Sequence, residues 1–225
     1  MTRRSGVAGI IFDVDGTLVD SNELHAEAWR RAFREAGHPI PIETIREHIG
    51  KGGDLLVPDL LDAEGMRSSA RKIRKLRKEI FTQDLLPKVR PFPRVRESLE
   101  ALRDLGIRML LASSAPAAEV RRHVRTLEIG DLIDGTTSSA DAMFSKPSPE
   151  IFQAALDEIE APKSRTMIVG DTPYDILAAH RASTPIAAVR CGGFSEEKLE
   201  KAEWIFNDVP EIVERIDQID DYFRR

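Results

Sequence analysis

Val7-Ala8-Gly9-Ile10-Ile11-Phe12, followed at once by Asp13-Val14-Asp15-Gly16-Thr17, is the stretch that decides the fold. Its apolar run is short and nearly unbroken, without the alternation of a strand that keeps one face wet. It reads as a strand covered on both sides in a parallel sheet. Two carboxylates then stand at its carboxyl end, where open α/β sheets place their ligands. Runs of the same character recur at Ile107 to Ala112, at Leu132-Ile133 with its flanks, at Thr166 to Val169 and at Pro185 to Val189. Helix-period segments separate them: Arg94 to Leu105, Ala117 to Leu127, Pro149 to Ile159 and Tyr174 to Ala182. Gly106 suits the end of the first, and Ser148 and Thr172 suit the N-caps of the last two. A final helix from about Pro210 to Phe223 is expected to pack on the sheet edge. The alternation predicts an α/β protein with a doubly wound parallel sheet and right-handed crossovers.

One segment departs from the alternation. From about Ser21 to Pro87 only helical patterns occur, Leu24, Ala28 and Ala32 in the first and Ile73, Leu76 and Ile80 in a later one. Pro87, Pro91 and Pro93 stiffen its return, so the two arms of a hinge are expected there and near Val19 to Asn22. The expected organisation is a core of residues 1–20 and 88–225 with a smaller α-helical domain, 21–87, inserted after the first strand.

Composition narrows the class further. With 33 Lys+Arg against 38 Asp+Glu and a net charge of -5, the surface lacks the broad basic face that nucleic-acid binding needs. No apolar run is long enough for a membrane span or a signal-peptide core. Cys191 is the single cysteine, which rules out an intramolecular disulfide and suits a reducing compartment. A cytoplasmic protein without nucleic-acid or membrane partners is expected.

Chemistry-bearing residues gather at strand ends. Asp13 and Asp15, two apart and followed by glycine, could hold a hard divalent cation through oxygen. Ser113-Ser114 ends a second strand, and a hydroxyl with free N–H groups beside a helix N-terminus can hold phosphate oxygens. Lys146 lies in Lys-Pro-Ser-Pro-Glu before a helix, and Gly170-Asp171-Thr172-Pro173-Tyr174-Asp175 adds two more carboxylates at a third strand end. Each is ordinary alone, as a solvated turn or a helix cap. Four such groups at the ends of different strands point to one shared site.

The set Asp-x-Asp-Gly-Thr, strand-end Ser, Lys-Pro-x-Pro-Glu and Gly-Asp-Thr-x-x-Asp, in this order over nearly the whole chain, resembles the haloacid dehalogenase superfamily. Within it, the chain is similar to hydrolases with a helical cap, the phosphoglycolate phosphatase and β-phosphoglucomutase subgroup. Asp15 fits the phosphatases and phosphomutases and disfavours the dehalogenase and phosphonate-cleaving branches. The resemblance implies Mg²⁺-dependent hydrolysis of a small phosphorylated metabolite through an aspartyl phosphate, by a monomer or homodimer. Asp13 would be the nucleophile and Asp15 the general acid and base, positioned by Thr17. Mg²⁺ would be held by Asp13, the backbone carbonyl of Asp15 and Asp171. Ser113, the Ser114 N–H and Lys146 would bind the phosphoryl oxygens, and Asp175 would orient Lys146 or a metal-bound water.

The inserted helices would then select the leaving group. Gly50-Lys51-Gly52-Gly53 resembles a substrate-specificity loop, with Lys51 and Gly52 toward the substrate; a flexible turn with a solvated lysine is the other reading. Arg67, Arg71, Lys72, Arg74, Lys75, Arg77 and Lys78 are expected to form the solvated face of an amphipathic helix. His25 resembles a β-phosphoglucomutase position involved in closure, which leaves a phosphosugar mutase as the alternative. The loop lacks the arginine expected of such a mutase. A phosphorylated receiver domain, a switch and not an enzyme, shares several of these groups. Its motif order differs, and it has neither the second acid nor the helical insertion.

Overall fold

The computed structural model describes residues 5–224; the outermost residues of the expected core, 1–4 and 225, lie outside the described residues. In chain order the strands are β1 (Gly9–Phe12), β2 (Val19–Asp20), β3 (Arg90–Pro91), β4 (Arg108–Ala112), β5 (Gly135–Thr137), β6 (Thr166–Gly170), β7 (Ile186–Val189) and β8 (Trp204–Phe206). The α-helices between β2 and β3 are α1 (Asn22–Glu35), α2 (Ile42–Arg46), α3 (Gly53–Leu60), α4 (Ala63–Ser68) and α5 (Ala70–Ile80). Those that follow are α6 (Val95–Asp104), α7 (Ala117–Leu127), α8 (Glu150–Glu158), α9 (Pro173–Arg181), α10 (Glu196–Leu199), α11 (Val209–Glu214) and α12 (Ile216–Phe223).

Six strands form one parallel sheet in the order β5-β4-β1-β6-β7-β8. Successive side chains of β1 serve opposite faces, as strand geometry requires. Ile10 and Phe12 join the core under α6, α11 and α12, with Leu99, Leu102, Ile212 and Ile219. Ile11 joins the core under α8 and α9, with Phe152, Ala155 and Ile176. This is the doubly wound α/β class. The chain runs outward from β1 to β4 and β5 on one side and continues with β6 on the other, so the switch in strand order opens a crevice beside the end of β1.

Three local expectations are corrected. The strand sought at Leu132-Ile133 lies later, at Gly135–Thr137. Leu132 and Ile133 instead form a turn, both donating to the Ile129 carbonyl. The apolar pair marks burial, while the polar Gly-Thr-Thr strand at the sheet edge carries little hydropathy signal. Pro149, not Ser148, occupies the N-cap position of α8. The single C-terminal helix is broken at Arg215, whose φ of -115 and ψ of 20 end α11 before α12 begins. The edge strand β8 has no counterpart among the expected strands. Trp204 on it packs edge-on against Tyr222, with ring centroids 5.1 Å apart, and lies near Phe223.

Helices α1–α5 build an apolar core of their own around Trp29, Phe33, Ile45, Leu56 and Ile73. An antiparallel ribbon, Val19 opposite Pro91 and Asp20 opposite Arg90, carries the chain out to them and back. The helices rest on the carboxyl end of the sheet partly through apolar contacts, Ala28 joining the sheet core with Leu24 and Ile80 against it, and partly through polar ones. Ser145 Oγ donates to Asp54 at 2.7 Å and Tyr174 OH to the Glu47 carbonyl at 2.7 Å. Among the described residues, no helix is long and apolar enough to cross a membrane.

Candidate active site

Register places the site. Phe12 pairs with Leu111 of β4 and with Val169 of β6, so the segments that begin at Asp13, Ser113 and Asp171 emerge side by side. Lys146 reaches them from the loop before α8. Its Nζ lies 2.5 Å from Asp13 Oδ1 and 2.7 Å from Asp175 Oδ1. Asp175 is pinned by a capping box at the start of α9, its Oδ2 accepting from Thr172 Oγ1 at 2.6 Å and from the Thr172 N–H at 3.0 Å. One carboxylate oxygen is thereby fixed to the helix and the other is turned to the lysine. Asp171 is fully buried and accepts from Asn22 Nδ2 at 2.7 Å and Thr17 Oγ1 at 3.2 Å. Thr17 therefore reaches Asp171 and not Asp15.

Charge in this corner does not balance. Asp13, Asp171 and Asp175 offer oxygens that all lie within 4.8 Å of one another, and all three residues are buried. Lys146 is the ammonium among them. Burial works against its charge, but Asp13 and Asp175 outweigh that and keep it protonated. Burial pushes Asp13 up to about 7, with Asp175 adding to the rise against the pull of Lys146. Burial, Asp175 and Asp13 raise Asp171 well above its ordinary value. Three carboxylates around one ammonium are the donor set of a hard divalent cation, and Mg²⁺ fits both the oxygen ligands and the missing charge.

Asp15 faces a different set of partners. Its Oδ1 accepts from Ser21 Oγ at 2.6 Å and meets His25 Nε2 at 2.9 Å. Arg77 Nη2 lies 2.6 Å from His25 Nδ1. A guanidinium only donates, so Nδ1 accepts and the imidazole proton sits on Nε2, directed at Asp15. Burial opposes the charge on Asp15, but His25, His123 and Ser21 prevail and hold its carboxyl below the usual range. His25 stacks on Phe81 with ring centroids 4.0 Å apart.

Arg77 overturns the expectation for the basic helix. It stands four residues after Ile73 and three before Ile80, on the buried stripe of α5. Its guanidinium lies 5.4 Å from the Trp29 ring and 5.0 Å from that of Phe81, so it is part of the cavity wall and not of a solvated face. The sequence signal was its place in the stripe, masked by six basic neighbours. Asn22, Glu119 and His123 were also not singled out. Glu119 and His123, at i and i+4 on α7, share the helix face that follows the strand-end serines.

A cavity of about 140 Å³ joins the two corners. Asp13, Asp15, His25, Lys51, Gly52 and Lys146 all line it, as do Ser114 and Asp175. Ser113 is buried, its hydroxyl accepting from the Ala115 N–H at 3.1 Å. Lys51 does not point freely to a ligand. Its Nζ is 2.5 Å from Asp59 Oδ2 and 4.9 Å from the centre of the Tyr174 ring.

The family described as haloacid dehalogenase-like hydrolase matches residues 10–189, from β1 through β7. The chain belongs to this family. Among curated relatives of this haloacid dehalogenase-like protein, a phosphoglycolate phosphatase of Nitrosospira multiformis is 30% identical over 191 residues, covering 83% of this chain and 84% of its own. A phosphorylated carbohydrates phosphatase of Thermotoga maritima is 27% identical over 177 residues, covering 77% and 80%. The crystal structure of a hydrolase from Pseudomonas syringae superposes with a TM-score of 0.81 at 25% identity, over 94% of this chain and 99% of that one.

Proposed function

We propose that the chain is a phosphatase of small phosphorylated metabolites, with Asp13 as nucleophile and Asp15 as acid and base. The observation that carries this reading is the division of labour between two aspartates two residues apart. Asp13 lies in the cation-poor corner against Lys146, and Asp15 is turned to hydrogen-bond donors across the cavity.

Asp13 would attack phosphorus in line, forming an aspartyl phosphate as the bond to the leaving oxygen breaks, and Asp15 would give that oxygen its proton. This transfer returns Asp15 to the ionised form that Ser21 and His25 stabilise. Asp15 would next take a proton from water, whose oxygen attacks the same phosphorus and frees Asp13 and inorganic phosphate. Lys146, with the Ser113-Ser114 segment, would hold the oxygens on which charge shifts during transfer. Asp13, the backbone carbonyl of Asp15 and Asp171 would hold Mg²⁺, which when bound offsets the repulsion between an anionic nucleophile and an anionic ester. Asp175 keeps Lys146 in place.

On this reading residues 21–87 act as a cap over a core of 1–20 and 88–225, and the cavity wall they supply meets the leaving group. An anionic leaving group would share the Lys51 ammonium with Asp59 or take its place. Phosphoglycolate and sugar phosphates, the substrate types that the relatives' names carry, are the first to try. The contact of His25 with Asp15 also supports a second reading, a mutase that returns phosphate to a bound sugar phosphate.

Phosphate release across phosphorylated sugars, phosphoglycolate and nucleoside monophosphates tests both. Release should fall at least about 10²-fold in EDTA and return with Mg²⁺. Sugar-phosphate isomerisation without release would favour the mutase, and neither activity would overturn both. Gly192→Ala gives a local check on the metal set. A Cβ there would run into the Asp171 carboxylate, and the Gly192 carbonyl already accepts from Asn22 Nδ2 at 2.7 Å. The Mg²⁺ concentration for half-maximal rate should rise about 10–100-fold. An unchanged Mg²⁺ dependence would remove Asp171 from the metal set.

A further inference from the structure

We propose that Asp15, Glu119 and His123 form a second cation site, distinct from the Asp13-Asp171-Asp175 cluster, that takes a divalent ion of the Zn²⁺ class and withdraws Asp15 from catalysis. His123 Nε2 lies 3.8 Å from Asp15 Oδ1 and 3.9 Å from Glu119 Oε1, and one ligand atom of each residue lies within 4.8 Å of the others. A point equidistant from atoms so spaced is roughly 2.2–2.5 Å from each, a few tenths of an ångström outside ordinary zinc bond lengths.

Two of the trio's three facing atoms lack hydrogen-bond partners, while Asp15 Oδ1 also accepts from Ser21 and meets His25. His123 is 1% exposed and the Glu119 side chain 9%, yet among the described residues neither His123 Nε2 nor Glu119 Oε1 has a hydrogen-bond partner. Buried polar atoms are normally satisfied, and an orphaned imidazole nitrogen facing an orphaned carboxylate oxygen marks a place for something between them. Charge points the same way. Asp15 and Glu119 bring two negative charges, and the part-buried Arg77 guanidinium that interacts with both brings one positive. His25 accepts from Arg77 through Nδ1. The corner is one positive charge short, supplied by a proton on His123 or by a cation in its place. Burial works against that proton, but Glu119 and Asp15 outweigh it and raise the imidazole above its ordinary value, so an ion entering here displaces a proton.

The donor sets sort the ions. The three-aspartate cluster is all oxygen and suits Mg²⁺. An imidazole nitrogen with two carboxylates suits Zn²⁺, Co²⁺ or Mn²⁺. An ion there competes with the proton that Asp15 must carry to the leaving oxygen, so it inhibits without displacing Mg²⁺. The inhibitory half rests on the proposed role of Asp15; binding does not.

Co²⁺ is the probe, because its visible bands report bound ligands without turnover. Titrated into the whole protein with Mg²⁺ in large excess, Co²⁺ should bind at one equivalent, and Zn²⁺ should displace it. Glu119→Gln and His123→Gln should each weaken binding about tenfold or more. Displacement of Co²⁺ by Mg²⁺ as at a single shared site overturns the proposal in the wild type alone, whether or not the variants fold. Unchanged affinity in folded variants overturns it too. In phosphate release at saturating Mg²⁺, Zn²⁺ should inhibit the wild type, and Glu119→Gln should need about tenfold more Zn²⁺ for the same fractional inhibition. Binding without inhibition overturns the withdrawal of Asp15. No phosphate release under any condition, with Co²⁺ still bound, overturns the phosphatase reading and not the site.

Discussion

Asp13→Asn should lower phosphate release on the order of 10⁴–10⁶-fold, the scale on which removal of a nucleophile costs an enzyme its rate. The amide keeps the shape of the carboxylate but has no charge with which to attack phosphorus or help hold a cation. The fold should survive, because Lys146 retains Asp175 at 2.7 Å. The substitution should even help the metal-free protein. Burial raises Asp13 from 3.8 to about 7, so the folded state binds more protons than the unfolded chain between those values. Its contribution to stability therefore declines as pH rises from about 4 to 7. Thermal melts in EDTA at pH 8 should show the variant at or above the wild type, and added Mg²⁺ should raise the wild type more. Appreciable remaining hydrolysis would exclude Asp13 as nucleophile.

Asp15→Ala should divide substrates by leaving group. Alkyl phosphates depart as strongly basic alkoxides and need the proton, so their hydrolysis should fall about 10²–10⁴-fold. p-Nitrophenyl phosphate has a stable leaving anion and should lose much less in the transfer step. Single-turnover release of nitrophenol isolates that step from the attack of water, in which the missing base is felt with every substrate. His25 loses its acceptor but stays between Arg77 and Phe81, so the cavity wall should persist. Equal losses on both substrates in the first turnover would remove Asp15 from the role of acid.

What could be read in the sequence follows from how each signal is carried. The run Val7 to Phe12 is legible because a strand covered on both faces has nowhere to place a polar residue. Asp13, Asp15, Ser113, Lys146, Asp171 and Asp175 sit at fixed offsets from such runs or from prolines, and the register of β1 between β4 and β6 brings the first strand ends together. β5 is sought too early because its Gly-Thr-Thr carries no apolar signal, and β8, although wholly apolar, is too short at three residues to show a period. Arg77, Glu119 and His123 escaped for another reason. Their burial depends on how α5 and α7 meet across the cavity, which periodicity within either helix does not report. Thr17 shows the same limit: the family resemblance pairs it with Asp15, and its hydroxyl crosses to Asp171, 154 positions away.

The placement of the two tryptophans gives the protein a built-in optical gauge. Trp29 lies under the Arg77 guanidinium in the wall of the cavity, and Trp204 lies among Tyr222 and Phe223 at the far sheet edge. Their fluorescence thus divides by place, one indole exposed to whatever enters the cavity and the other to the condition of the C-terminal helices. A Trp204→Phe chain would leave one emitter beside the reacting groups, so that ligand arrival could be followed in a stopped-flow trace without labelling the protein.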